Sequence, residues 1–360
     1  MNPILKTSLI ILSVCQIHGQ GFWGNEFPEP KIEYAPKTYV CHKADKLILV
    51  DGKLNDDAWS NVQWTDSFID IEGSLKPDPF YDTKAKMTWD DNYFYFGAYL
   101  EDPHVWASIT ARDAVVYKDN DFEIFLDPDG DTHNYYELEV NAFETEWDLI
   151  LLKPYHDADG VALDSWDIPG LISKVHVDGT INDPSDMDKG WSVEIAIPWR
   201  SLIGNFRSKT PPKEGETWKV NFSRVHWDTE IKDGKYVKTD TPEFNWVWSP
   251  QGHIYMHFPH FWGLVQFSEK APGSEKVEFF DNGLDKMRWA LRQVYIRQRN
   301  YFFKNERYTA SLKELNLKDR PIEGVPWPPT LMVTPSGWEA ELVRGDKSMY
   351  IRKDGKVWVN

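Results

Sequence analysis

The chain has 360 residues, 27% of them charged and 41% hydrophobic, with a formal net charge of −17. That balance describes a soluble globular protein with room for two domains, and it excludes a nucleic-acid surface, which needs clustered Lys and Arg. The 18 Trp, 16 Tyr and 19 Phe exceed ordinary usage; most must fill a core, and the rest supply flat apolar faces for stacking.

Lys6, the apolar run Leu9 to Val14 and the small Gly19 form the pattern of a secretory signal peptide over residues 1–19, too short for a membrane span. Leu12-Ser13-Val14-Cys15 offers the alternative of a lipoprotein signal acylated at Cys15. Either way the expected location is periplasmic, extracellular or on the outer surface. No other stretch reaches the ~20 apolar residues of a membrane helix. With cleavage at Gly19, Cys41 is the only mature cysteine, which excludes a disulfide framework within the chain. Residues 20–39, rich in Pro, Gly and Glu, read as a linker.

Structure is expected from Tyr39. Leu47 to Val50 reads as a strand before the Asp51-Gly52 turn, and Asp56 to Trp59 as a short helical turn capped by an acid. Lys84 to Trp89 and Tyr93 to Leu100 are strands joined by Asp90-Asp91-Asn92. In Lys118 to Tyr155, Phe122, Ile124 and Leu126 alternate with Asp121, Glu123, Phe125 and Asp127, the period-2 signature of a half-buried strand. A polar turn leads to a second alternation, Tyr136, Leu138 and Val140 against Glu137, Glu139 and Asn141, and then to the apolar run Trp147 to Leu152. A hairpin here would gather Glu123, Glu137, Glu139 and Asn141 on one face. Like carboxylates placed opposite each other repel, so that face needs a cation, a basic residue or a polyol partner.

Ile172 to Val177, Trp191 to Ile197, Trp218 to Val225 and Gly263 to Phe267 bring the total to roughly ten short strands, the count of a sandwich or barrel. The predicted fold is all-β, an antiparallel β-sandwich of jelly-roll or DOMON-like type over residues 40–268. A linker follows at 269–283. Residues 284–360 form a small α+β appendage: a basic amphipathic helix over Leu284 to Asn305 and short hairpins from Leu331. The helix offers a surface either to the sandwich or to a partner protein.

The segments DGKLNDDAW, WDDNYFYFGAYLEDPHVW, DNDFEIFLDPDGD, WSVEIAIPW and FWGLVQF, in this order over about 40 to 268, resemble those of a family 9 carbohydrate-binding module, and more closely those of secreted bacterial family 9-like proteins. The resemblance implies a β-sandwich, binding of polysaccharide ends and structural calcium.

Several residue groups carry candidate chemistry. Asp127, Asp129 and Asp131 alternate around Gly130, a spacing that lets a short loop fold around calcium, which takes several oxygen ligands. Asp119 and Asp121 form a second calcium candidate through the resemblance. Glu123 and Glu139 are the acid/base pair if the chain is a glycoside hydrolase, and Arg112 or Arg224 would otherwise neutralise such acids as ion pairs. Trp246 and Trp248 point to one side of a strand, where they either stack on sugar or fill the core. Trp106, Trp147, Trp166 and Trp227 lie near strand ends and are further wall candidates. His257, in the run His253, His257 and His260, is expected beside a ligand groove. The predicted site is a groove with tryptophan walls and a polar floor of Asn141, Arg112 or Arg224, and acids of the central meander. The leading function is recognition of a poly- or oligosaccharide in polysaccharide catabolism; hydrolysis and cell-surface assembly are the alternatives.

Overall fold

A computed structural model describes residues 27, 29–157, 161–202, 211–317, 319 and 322–360. The expected signal peptide and Cys15 lie outside the described residues. The chain supplies, in order, β1 (Thr38–His42), β2 (Ile69–Asp70), β3 (Thr83–Trp89), β4 (Tyr93–Glu101), β5 (Asp121–Asp127), β6 (Tyr135–Asn141), β7 (Glu146–Leu151) and β8 (Ala162–Leu163). Then come β9 (Ile172–Asp178), β10 (Gly190–Pro198), β11 (Thr217–His226), the hairpin β12 (Thr229–Lys232) and β13 (Lys235–Lys238), β14 (Phe244–Val247) and β15 (Gly263–Ser268). The larger sheet has the order β1-β15-β11-β5-β6-β7-β8, with β14 paired to β11 and β2 to β14; the smaller is β3-β4-β10-β9. β1 runs parallel to β15, and the pairs around the centre of both sheets are antiparallel.

The two sheets bury one apolar layer between them. Phe94 and Phe96 of β4, Trp191, Val193 and Ile195 of β10, Phe122, Ile124 and Leu126 of β5, Tyr136, Leu138 and Val140 of β6, and Phe222 of β11 meet there. The period-2 pattern therefore sends one set of each strand's side chains inward and leaves the alternate residues, Phe125 and Tyr95 among them, on the outer faces. On the outer face of the smaller sheet, the buried Glu194 carboxylate accepts bonds from Trp59 Nε1 at 2.7 Å, Asp51 N–H at 2.8 Å and Gly52 N–H at 3.0 Å. Gly52 sits at φ +87°, and a Cβ there would stand 2.7 Å from the backbone of Val175 and His176, so only glycine fits. Leu47 to Val50 is not a strand; it is irregular chain with Ile48 buried and Leu47 and Leu49 exposed.

The helix α1 spans Leu284–Asn305, as its amphipathic pattern predicts, and is followed by an antiparallel meander of β16 (Thr330–Thr334), β17 (Gly337–Arg344), β18 (Lys347–Arg352) and β19 (Val357–Val359). Met287, Leu291, Val294 and Ile296 share a second core with Trp338, Ala340, Met349 and Ile351 of the meander and with Phe258 and Phe261 of the sandwich. The helix thus spends its apolar face inside the molecule, against the meander and the sandwich, which is the first of the two placements the sequence offered for it. The described part of the expected 20–39 linker is also docked. Phe27 is buried in the second core, and the Tyr34 ring stacks on Trp289 with centroids 5.0 Å apart and an interplanar angle of 8°. Pro and Glu gave this stretch a linker composition, but its spaced aromatics anchor it.

Candidate functional site

The outer face of the larger sheet collects the polar half of every central strand. Pairing sets Glu123 opposite both Glu139 of β6 and Ser223 of β11, Phe125 opposite Glu137, and Asp121 opposite Asn141. Trp147 of β7 continues the row beyond Glu139. A cavity of about 610 Å³ opens over this face, lined by Glu123, Glu137, Glu139, Trp147, Tyr155 and His257 together with Val115, Tyr117, Phe125, Val225, Glu243, Asn245, Tyr255 and Met256. Glutamates form the floor because the β5–β6 hairpin is in the register that the alternation predicts.

Tyr117 comes from the short 3-10 turn Val116–Lys118. Its ring lies nearly parallel to that of Trp147, with centroids 6.5 Å apart and an interplanar angle of 28°. The Tyr117 N–H donates to Glu139 Oε2 at 2.8 Å, so the same turn supplies a wall and holds the floor. Trp147 Nε1 is buried without an acceptor among the described residues. The opposite wall is the turn Tyr155–Asp157 and the loop carrying Tyr255 to His257. His257 Nδ1 lies 2.9 Å from the Tyr135 hydroxyl, and its ring packs edge-on to Tyr155 at 4.6 Å.

This wall is held from behind by the C-terminal unit. Asp157 accepts from Arg292 and Arg299 of α1 at 3.3 and 2.8 Å and from the Tyr295 hydroxyl. Burial alone would raise its pKa, but Arg292, His156 and Arg299 outweigh it and hold this carboxyl below its ordinary range.

The floor has the reverse electrostatics. Burial pushes the Glu123 carboxyl up to about 7. Burial, and then the neighbouring Glu123, raises Asp121, Glu137 and Glu139 as well. The lining residues include no Lys or Arg. Arg112 pairs with Glu146, Asp148 and Asp167, the last two at 2.6 and 3.0 Å. Arg224 is buried against Asp102 at 3.4 Å and bonds to Thr83 and the Glu101 carbonyl. The expectation that either arginine joins the floor or neutralises its acids is therefore corrected: both serve carboxylates elsewhere.

Of the sequence candidates, Glu123, Glu139, Trp147 and His257 meet in the cavity. Asn141 sits on the same face but is fully buried, donating to the Ile109 carbonyl and to Asp119. Trp246 and Trp248 do lie on one side of β14, and that side is the core; Trp248 packs against Tyr39 and Phe222. Both are too enclosed for stacking on a ligand. Trp106 is buried away from the cavity, and Trp166 packs on Tyr136. Sequence reasoning missed Tyr117, Tyr155 and Tyr255, which lie in short turns outside any strand alternation. For Tyr117 and Tyr155, position beside the acidic meander was the available signal.

The calcium candidates separate on inspection. Asp127, Asp129 and Asp131 offer oxygens within 4.8 Å of one another. Yet Asp127 already accepts from Gly130 and Thr132 N–H, Asp131 accepts from His133 N–H and pairs with Lys356 at 3.0 Å, and Arg288 lies over Gly130. The loop's acids thus already take backbone N–H groups and the Lys356 ammonium as partners, with Arg288 of the C-terminal unit beside them. Asp119 is likewise committed, accepting from Ser108 and Ile109 N–H at 2.7 Å each. Asp121, Glu123 and Glu139 form a different, wholly buried group, again within 4.8 Å.

The chain is similar in sequence to segments of known proteins. An endo-1,4-beta-xylanase A of Thermoanaerobacterium saccharolyticum is 27% identical over 248 residues, covering 69% of this chain and 18% of its own. An exoglucanase XynX of Acetivibrio thermocellus is 27% identical over 242 residues, covering 67% of this chain and again 18% of its own. The chain therefore spans under a fifth of the length of these relatives. A family 9 carbohydrate-binding module from Caldicellulosiruptor kristjanssonii, solved with cellotriose, is 19% identical with a TM-score of 0.44, covering 67% of this chain and 99% of its own. Among the described residues no helix is long and apolar enough to cross a membrane. Residues 50–251, more than half of the chain, match the family described as "Carbohydrate family 9 binding domain-like", and the chain belongs to that family.

Proposed function

We propose that the chain is a secreted, noncatalytic carbohydrate-binding protein that takes a poly- or oligosaccharide into the cavity over the β5–β6–β7 face, in the service of polysaccharide breakdown. The observation that carries this reading is the pairing of an aromatic wall, Tyr117 and Trp147, with a buried acidic floor in one cavity of about 610 Å³. A sugar presents C–H faces to rings and hydroxyls to polar groups, and buried hydroxyls must find partners. The unpaired Trp147 Nε1 is a donor that a hydroxyl would satisfy. Membership of a binding family supports the same reading, and the pattern of residues 1–19 supports export.

Hydrolysis is a second reading because Glu123 and Glu139 bring oxygens within 4.8 Å, near the ~5 Å separation of retaining glycosidases. Against it, the two acids stand side by side on one sheet face, opposite each other across the hairpin, rather than flanking a gap that a glycosidic bond could occupy. Incubation with a panel of glucose- and xylose-based polysaccharides separates the readings. Retention of a glycan without new reducing ends is expected. Reducing ends that disappear in Glu139→Gln would make the chain an enzyme.

A further inference from the structure

The floor of the cavity poses a charge problem that the fold itself leaves open. Glu123 and Glu139 line it and Asp121 lies beside them on β5; all three are buried, and their oxygens lie within 4.8 Å of one another. Arg112 and Arg224 are engaged elsewhere, and no ion pair reaches these three among the described residues. Asp121 is fully buried; Oδ1 accepts Val225 N–H at 3.3 Å, while Oδ2 has no partner among the described residues. An unpaired buried carboxylate oxygen costs several kcal/mol by general estimates. Glu139 keeps one oxygen for the Tyr117 N–H, so that turn also orients a second carboxylate of the group.

We propose that Asp121, Glu123 and Glu139 bind a hard divalent cation of the calcium class on the cavity floor, and that the cation's open positions, facing the cavity, ligate saccharide hydroxyls. Calcium takes 6–8 oxygens in flexible geometry, whereas magnesium demands a tighter octahedron and keeps its water. Three carboxylates from adjacent strands supply part of that shell, and the cavity side supplies the remainder through water or vicinal hydroxyls. This placement differs from the acidic turn Asp127 to Asp131, where Lys356 and Arg288 already supply the positive charge.

The cation site stands on its own geometry; the ligation of hydroxyls rests on the carbohydrate reading above. The test uses the full chain, stripped with chelator and desalted, and titrated with calcium by calorimetry. Wild type and Asp129→Ala/Asp131→Ala should bind one calcium with equal affinity, and Asp121→Asn/Glu123→Gln should bind it at least a hundredfold more weakly while keeping its far-UV spectrum. No calcium binding by wild type, or calcium binding lost only in Asp129→Ala/Asp131→Ala, overturns the site. A second titration, with the glycan that the panel identifies, should show binding that chelator abolishes and calcium restores. Equal glycan affinity with and without chelator overturns the ligation of hydroxyls while leaving the carbohydrate reading intact. If no glycan binds with or without calcium, the carbohydrate reading itself fails and the calcium titration alone decides the site.

Discussion

Asp157 and Arg292 meet at 3.3 Å with both side chains fully enclosed, one on the turn that carries Tyr155 and the other in the middle of α1. Arg292 also approaches His156 Nε2 at 3.1 Å, and its guanidinium sits over the Tyr295 ring at 3.9 Å. The C-terminal unit therefore reaches the wall of the cavity through a buried charge pair, although none of its residues lines the cavity.

Removing one partner of such a pair strands the other. Asp157→Asn should lower unfolding stability by about 3 kcal/mol, the usual scale for a broken buried pair. Chemical denaturation would measure it. The depressed pKa of Asp157 adds a sign: its contribution is present above the ordinary carboxylate value of 3.8 and fades as pH falls below it. The variant should therefore be closest to wild type in strong acid.

Trp248 tests the division between core and cavity. It is enclosed by Tyr39 and Phe222, and its ring lies against Gly263, where a Cβ would come within 2.3 Å of it. Trp248→Ala should cost roughly 3–5 kcal/mol of stability by the cavity it leaves. Glycan affinity of the folded fraction should stay within about twofold of wild type, a change of ~0.4 kcal/mol. Paired thermal melts and titrations would show this split.

His260 supplies a pH test. Burial, followed by Arg292, His156 and Lys219, pushes its pKa well below 6.5. A histidine held neutral in the fold leaves stability intact above pH 6.5. Stability falls as pH drops below that value, where the unfolded chain takes up the proton. His260→Gln should consequently gain melting temperature relative to wild type as pH is lowered from 7.5 to 5.5, and a constant difference across that range would contradict the assignment.

The strands were legible because their chemistry is local. Alternation in Asp121 to Asp127 and Tyr135 to Asn141 determines which residues face inward, and the turn between them sets a register that places Glu123 beside Glu139. The acidic floor is therefore written in the sequence. Which side of β14 faces the core was not, since alternation specifies sides without saying which is wet; Trp246 and Trp248 stood as stacking candidates beside the core reading that their size favours. Arg112 and Arg224 were misplaced for a related reason. Their partners Asp167 and Asp102 are distant in sequence and met through packing. Tyr155 and Tyr255 reach the cavity only because α1 and the second core hold their loops, a dependence that no local pattern encodes.

The account rests most directly on the aromatic wall, and calorimetric titration of Tyr117→Ala/Trp147→Ala with the oligosaccharide that wild type binds would test it. Both rings line the cavity and leave the inter-sheet core untouched, so the double variant should fold. Loss of two stacking faces at roughly 0.5–1.5 kcal/mol each predicts a dissociation constant raised about tenfold or more. A folded double variant that binds the oligosaccharide as tightly as wild type would contradict the claim that this cavity is the carbohydrate site.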